Sequence, residues 1–438
     1  MIRFFKLVLR LQRRNNAAMK ETIHLKKSIT WLQGAALTTG AVLGAGILVL
    51  PSLAAAMAGP ASLLSWLFMG LLSLPMVAVI SMMSSRYPDS GGIATYVRQG
   101  LGENTSRIVG LWILGAMPFG MPVTALIGAH YLSDAMGWSS AATYGVAAAM
   151  LLIAIVLNYR GIDLSGRVQV LVVSSILGIL LLAITASLPQ VRPAAFSPFL
   201  PHGWLPVGQT MSLLFFAFIG WEMIGHLAEE FRRPRKDIPL SLGLAALVIN
   251  VLYLLIAFVT IGTLAYQSAT PLTAMITLAA YGWGEQASLL VSFLGLIACY
   301  CPVHTFIAGF SRLVYAQARD GALPPVFSRL HPRFQTPHYA LLSFLPVLGF
   351  VLGVSYLLEL QLQTLIQFPC ANFLAVYTLG MIASYRVLPS RAGKVLALLS
   401  AALAGLVFFF SGWFVLYPLG LAATAYSGCK LRAAANRP

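Results

Sequence analysis

Charge is scarce in this sequence. Asp, Glu, Lys and Arg make up 9% of the 438 residues, while 59% are hydrophobic. A water-soluble fold of that length requires far more polar surface, so the solvent of this chain is lipid. Acid is scarcer than base, with 12 Asp and Glu against 28 Lys and Arg and a formal net charge of +16. Cysteine is rare as well: Cys299, Cys301, Cys370 and Cys429 fall in or at the edge of apolar stretches, with no oxidised pairing implied and no metal-ligand spacing. They read as small packing residues. A nucleotide-binding glycine loop and a nucleophile paired with a base are missing too, so nothing points to an enzyme, a cofactor, a metal site or ATP-driven work.

What is present is a series of long apolar runs with short polar joints. A membrane-spanning helix needs about 20 largely apolar residues. Twelve stretches qualify: 31–57, 60–85, 106–133, 141–158, 165–187, 207–229, 239–266, 287–317, 339–357, 362–385, 394–411 and 413–430. An all-α integral membrane fold is expected, because a helix satisfies its own peptide groups in hydrocarbon. The net positive charge raises the question of nucleic acid, and the placement of the basic residues answers it. With the N-terminus in the cytoplasm, 27 of the 28 Lys and Arg fall on that side and Arg192 alone on the other. That is the positive-inside pattern of a protein whose partner is the bilayer, with both termini cytoplasmic in a bacterial inner membrane. Residues 1–30 form a basic tail. Lys6 and Arg10 interrupt its apolar run, which makes it a poor signal peptide; it reads as a cytoplasmic amphipathic tail, or translation starts at Met19.

Two spans carry weak points. The first holds Gly40, Gly44 and Gly46 before Pro51, and the sixth holds Gly220 at its middle, five spans later. Glycine in membrane helices usually serves close packing, and Gly70 and Gly349 read that way. Three glycines in seven residues followed by proline read instead as an unwound segment. An interrupted helix opening each half is the pattern of a five-plus-five inverted repeat. Residues 31–187 would form one half and 207–385 the other, with a hairpin at 394–430 outside the repeat.

A break in the first span would free backbone N–H groups at the start of its second half, where the helix dipole favours an anion such as a carboxylate. The freed carbonyls of Val42, Phe216 and Ile219 suit an ammonium group. Glu222, two residues after Gly220, is the acidic residue that falls within a span away from its ends. Buried acids in membranes are costly and functional by default. His226 lies four residues on, on the same helical face, so the pair could take up and release a proton. Alternatively Glu222 braces the broken helix and His226 is structural. His130 and His304 are read as lacking an acidic neighbour at helical spacing and are assigned to structure or pocket polarity. The run Arg232 to Asp237 is read as a cytoplasmic anchor.

Four stretches carry a resemblance: GAVLGAGILVLP at Gly40 to Pro51, YPDSGGIATY at Tyr87 to Tyr96, FIGWEMIGHLAEEFRRPRKDIP at Phe218 to Pro239, and ARDGALPPVFSRLHPRFQTP at Ala318 to Pro337. Through them the chain resembles the amino acid, polyamine and organocation (APC) superfamily of transporters over about residues 30–385, and within it the exporters of L-methionine and branched-chain amino acids. The resemblance implies a LeuT-like fold, with a substrate carboxylate on the amides of Ala45, Gly46 and Ile47 and an amino group on the carbonyls of Val42, Phe216 and Ile219 beside Gly220. It implies proton-linked release at Glu222 and aromatic gating from Phe215, Phe216, Phe218 or Trp221. Some proton-coupled relatives carry a lysine in the fifth span, and residues 168–187 contain none, so a sodium site at Thr305 or Ser311 stays open. A midplane without Lys or Arg favours neutral apolar amino acids. Met117, Met121, Cys299, Cys301 and Phe368 are candidates for the apolar wall. An uptake permease or exchanger of the same fold and a non-transporting sensor are the alternatives, and oligomeric state is left open. The topology is directly checkable. In a background lacking the native cysteines, His202→Cys is expected to react with an impermeant thiol reagent outside intact cells. Ser390→Cys should react only after the membrane is opened.

Overall fold

The computed structural model describes residues 29–87, 92–161, 166–226, 228–268, 271–284, 286–319 and 323–435. The tail before residue 29, residues 88–91 and 320–322 of two family motifs, and the side chains of His226 and Cys429 lie outside the described set. Among the described residues the fold is all-α. In chain order the helices are α1 (Trp31–Leu43), α2 (Gly46–Ala58), α3 (Ser62–Arg86), α4 (Ile93–Leu101), α5 (Glu103–Met136), α6 (Ser140–Tyr159), α7 (Gly166–Ser187) and α8 (Trp204–Leu214). They continue as α9 (Met223–His226), α10 (Pro234–Gly262), α11 (Ala274–Trp283), α12 (Gln286–Arg319), α13 (His338–Leu357), α14 (Leu362–Val387), α15 (Arg391–Phe409) and α16 (Leu416–Ala435).

Among the described residues ten helical stretches are long and apolar enough to cross a bilayer, against the twelve expected. The difference has a physical source. The first span is broken into two 13-residue helices, each too short to cross alone, and α2 runs through one 3-10 turn into α3 as a single 41-residue stretch. The twelfth is a shorter apolar helix, Gly412–Ala425. Large apolar side chains such as Phe350, Leu357 and Phe409 stay exposed, as a lipid-facing surface requires.

Local sequence explains where helices begin and end. Thr30 caps α1 in a capping box with Gln33. Gly137, in the left-handed conformation, closes α5 with Trp138 N donating to Ser133 O at 2.9 Å. The Arg232 to Asp237 run is not wholly a joint: α10 starts at Pro234, and buried Asp237 accepts from Arg233 N at 3.1 Å, an acid placed where the helix dipole favours it. Two joints hold helices that span-length arguments overlook. α4 follows the second span and α11 follows the seventh, so the two short helices occupy corresponding places five spans apart. α4 buries Ile93, Thr95, Tyr96 and Val97, packing on α14 and α5.

Around the broken spans the scaffold is tight. α5 and α12, 34 residues each, pack along each other with Gly128 against Cys299 and Gly295 against Tyr131. The chain leading into α1 is stitched to the chain leaving the sixth span: Ile29 N donates to Glu230 O and Arg232 N to Ile29 O, both at 3.0 Å. The α15–α16 hairpin docks on α5 through Tyr417 Oη to Gly115 O at 2.8 Å and Trp112 Nε1 to Pro418 O at 2.7 Å. α4 is held equally closely, since a Cβ on Gly100 would stand 2.5 Å from Ala383 O on α14. Gly100→Ala is therefore expected to destabilise the protein by about 1–3 kcal/mol through backbone displacement, read as a lowered thermal unfolding midpoint in detergent.

Candidate functional site

The two breaks face each other. α1 stops at Leu43, Gly44 turns the chain at φ +25°, and α2 restarts at Gly46 with Ala45 as its N-cap and no side chain accepting a capping bond. The opening N–H groups of a helix have no partner inside it, so the amides at Ala45, Gly46 and Ile47 are donors in need of an acceptor. In the sixth span α8 ends at Leu214, one 3-10 turn covers Phe215–Phe218, Ile219 is extended and Gly220 adopts φ +125°. The approach of the two segments demands small residues. A methyl on Gly46 would lie 2.9 Å from Ala217 Cα, and one on Gly220 would lie 2.9 Å from Ala41 O.

Tyr253 of α10 ties the breaks together. Its hydroxyl lies 3.0 Å from Val42 O and 2.7 Å from Ala217 O, placing one donor between a carbonyl of each broken span. A hydroxyl carries one proton and a carbonyl two lone pairs, so Val42 O keeps capacity for a second donor. The buried Tyr253 ring is fixed edge-on against Trp66 and Phe218, at centroid distances of 5.1 and 5.2 Å.

A cavity opens at this crossing, with about 530 Å³ of empty space including the part open to solvent. Val42, Ala45, Gly46, Phe216 and Ile219 line it, and so do Met121, Thr124, Phe306, Phe310 and Phe373. None of its lining residues is charged. Thr124, the one side-chain hydroxyl there, donates to Gly120 O of its own helix at 2.8 Å. Ile47 is fully buried beside the cavity, and Gly220 sits against Ala41.

Glu222 lies away from the lining and is buried, 7% exposed. Its Oε2 accepts from Gly220 N at 2.9 Å and from the hydroxyl of Tyr377 on α14. It thus links Gly220 of the sixth span to the tenth span. His226 ends the four-residue α9. Of the aromatic residues around the break, Phe216 reaches the cavity. Phe215 packs edge-on against Tyr377 at 5.6 Å, Phe218 lies between Trp66 and Tyr253, and Trp221 is fully buried, its Nε1 without a hydrogen-bond partner among the described residues.

The remaining candidates scatter. Met121 lines the cavity, whereas Met117, Cys299, Cys301 and Phe368 do not. Phe368 instead stacks on Phe119 at 4.2 Å, within an aromatic cluster that includes Phe414 and Tyr417. His130 does have an acidic neighbour at helical spacing, a correction to the sequence reading: its Nδ1 is 3.8 Å from Asp134 Oδ1, and Asp134 also accepts from Thr273 at 2.9 Å. His304 is approached by Asn158, whose amide donates to His304 O at 3.1 Å. Ser311 bonds Ala308 O of its own helix at 2.8 Å, and neither Ser311 nor Thr305 lines the cavity. In the fifth span Val173 stands against Gly40. Sequence reasoning missed Tyr253, Tyr377, Phe306, Phe310 and Phe373. The available signal was spacing: Phe306 and Phe310, like Pro369 and Phe373, are four residues apart and share a helical face, but spacing does not say toward what that face points.

These features define a multi-pass membrane protein of the transporter class. The chain belongs to the amino acid permease family, which matches it over residues 29–426. It is similar to an uncharacterized amino acid permease of Bacillus subtilis, YecA, at 43% identity over 93% of this chain and 96% of that protein. It is also similar to the L-methionine/branched-chain amino acid exporter YjeH of Escherichia coli, at 28% identity over 90% of this chain and 94% of the relative. The branched-chain amino acid permease BcaP of Bacillus subtilis shares 28% identity over 72% of each chain. The role of Tyr253 is open to test. Tyr253→Phe keeps the ring and removes the donor, and is expected to cost about 1–2 kcal/mol for the buried bonds lost, measured as a fall in thermal midpoint.

Proposed function

We propose that the chain is a secondary transporter of neutral apolar L-amino acids, methionine, leucine, isoleucine and valine among them, working in a bacterial inner membrane with cytoplasmic termini. The observation that carries this reading is a cavity bounded by peptide groups of both helix breaks and by no charged side chain. A zwitterion needs an anion site and a cation site side by side. The uncapped amides of Ala45, Gly46 and Ile47 serve the carboxylate, and the carbonyls of Val42, Phe216 and Ile219, beside Gly220, serve the ammonium. The amino-acid side chain is left to Met121, Phe306, Phe310 and Phe373, an apolar wall. A charged side chain there would be desolvated without a partner, at a cost of several kcal/mol.

Glu222 is the proton-responsive element in this reading. Its Oε2 accepts two bonds, from Gly220 and from Tyr377, and protonation of that oxygen lowers its capacity as an acceptor. The sixth span is thereby loosened from α14 next to the carbonyls that hold the ammonium. Phe216, at the cavity, is the gating ring, while Phe215, Phe218 and Trp221 hold the break from behind. The proton is preferred to sodium because Ser311 directs its hydroxyl to its own helix. Export is favoured by the similarity to an exporter over nearly the whole chain. Uptake is the second reading, favoured by the similarity to a branched-chain permease, and it uses the same chemistry.

Inside-out vesicles with an acidic lumen are expected to accumulate labelled methionine and leucine and to exclude arginine and glutamate. Glu222→Gln should retain amino-acid exchange between the two faces and lose gradient-driven accumulation. Accumulation indifferent to collapse of the gradient removes the proton from the mechanism, and arginine or glutamate preferred over leucine removes the neutral-substrate reading.

A further inference from the structure

α5 contains four glycines, and at three of them an added methyl would come closer than 3.0 Å to a neighbouring side chain. A methyl at Gly110 would lie 2.1 Å from Gln317 Nε2, at Gly115 2.3 Å from Leu421 Cδ1, and at Gly128 2.7 Å from Cys299 Cβ. Gly120 is different. The nearest atom to a methyl there is Pro369 Cβ at 3.7 Å, an ordinary van der Waals contact, and its φ is not positive. The other two glycines at the cavity have structural reasons to be glycine: Gly44 for its positive φ, Gly46 for the Ala217 backbone. A glycine inside a helix is about 1 kcal/mol less favourable than alanine. Neither a positive φ nor a close neighbour accounts for Gly120, and the residue lines the cavity.

We propose that Gly120 is the size-determining residue of the substrate pocket, the position whose missing methyl admits an amino-acid side chain as long as that of leucine or methionine. The inference rests on the transporter reading above. There the carboxylate and ammonium are held at the breaks of the first and sixth spans, so the substrate side chain extends to the wall that α5, α12 and α14 build. On α5 that wall presents Gly120 with Met121 and Thr124. A methyl at Gly120 would meet nothing closer than the ordinary contact with Pro369, and so would shorten the space open to the end of a long substrate side chain. A small substrate such as alanine would not reach it.

The bland alternative is a bend. Pro118 and Pro122 flank Gly120 within the helix, and glycine between prolines eases a kink. A bend acts on every substrate alike, whereas a size limit acts by side-chain length, and this difference decides between them. The experiment compares kcat/KM for alanine, leucine and methionine in proteoliposomes carrying wild type, Gly120→Ala, Gly120→Ser or Gly145→Ala. The last is a control on a lipid-exposed glycine with nothing within 4 Å of its added methyl. For Gly120→Ala and Gly120→Ser the leucine-to-alanine and methionine-to-alanine ratios are expected to fall about tenfold or more, the range one methylene commands in an apolar pocket. Alanine transport should fall far less than leucine or methionine transport, the thermal midpoint should hold, and no ratio should change in the control. Equal loss on all three substrates, an unchanged ratio, or failure of both variants to assemble overturns the proposal while leaving the transport reading in place. Wild type that carries none of the three amino acids overturns both.

Discussion

A peptide group left unpaired in hydrocarbon costs several kcal/mol, and this constraint governs the whole molecule. Helices that satisfy their own backbone can face lipid; a break cannot. The two interruptions of this chain therefore lie against each other inside the protein, Gly46 against Ala217 and Gly220 against Ala41, and each loose carbonyl or amide must find a partner within the protein or in what the protein binds. Tyr253 supplies one donor shared between Val42 and Ala217. Glu222 supplies the acceptor for Gly220 N and is itself shared with Tyr377. The amides at the start of α2 receive no side-chain cap. The groups that remain available are those around the cavity.

In the proposed reading, recognition of the amino-acid moiety rests on backbone and does not depend on which side chains surround it. Selectivity then belongs to the wall from α5, α12 and α14. That division fits the relatives whose names give methionine and branched-chain amino acids as what they carry. A wall of aromatic rings, one methionine and one unfilled glycine position sets shape without setting charge.

The rest of the fold keeps the breaks in register. The stitch between Ile29 and the segment around Phe231 joins the ends of the first and sixth spans on one side, so that a displacement of one is felt by the other. The α15–α16 hairpin anchors on α5 and, through Ser411 and Ser212 at 2.8 Å, on α8. Its contacts hold a scaffold helix and a broken helix at once. The short helices α4 and α11 follow the second and seventh spans, and α4 is fitted against α14 so closely that a methyl on Gly100 would stand 2.5 Å from Ala383 O.

Composition and apolar run length decided by themselves that this chain lives in lipid and is helical, because the bilayer accepts so few backbone solutions. Glycine and proline spacing located the interruptions at Gly44 and Gly220, since these residues act locally on the backbone that carries them. The same reading overlooked α4 and α11, nine and ten residues long, because the length of a span is set by the bilayer while a short helix exists by packing alone. It also passed over Asp134 as a neighbour of His130. Tertiary structure alone decided which faces meet. Phe306, Phe373, Tyr253 and Tyr377 carry no local signature, since an aromatic residue in an apolar helix looks the same whether it faces lipid, core or cavity. Among the aromatic residues of the sixth span, only the turn taken after Leu214 determined that Phe216 reaches the cavity while Phe215 and Phe218 pack behind it. Contacts that select between such faces, such as Tyr253 to Val42 and Phe215 to Tyr377, join residues more than a hundred positions apart, and no local pattern encodes them.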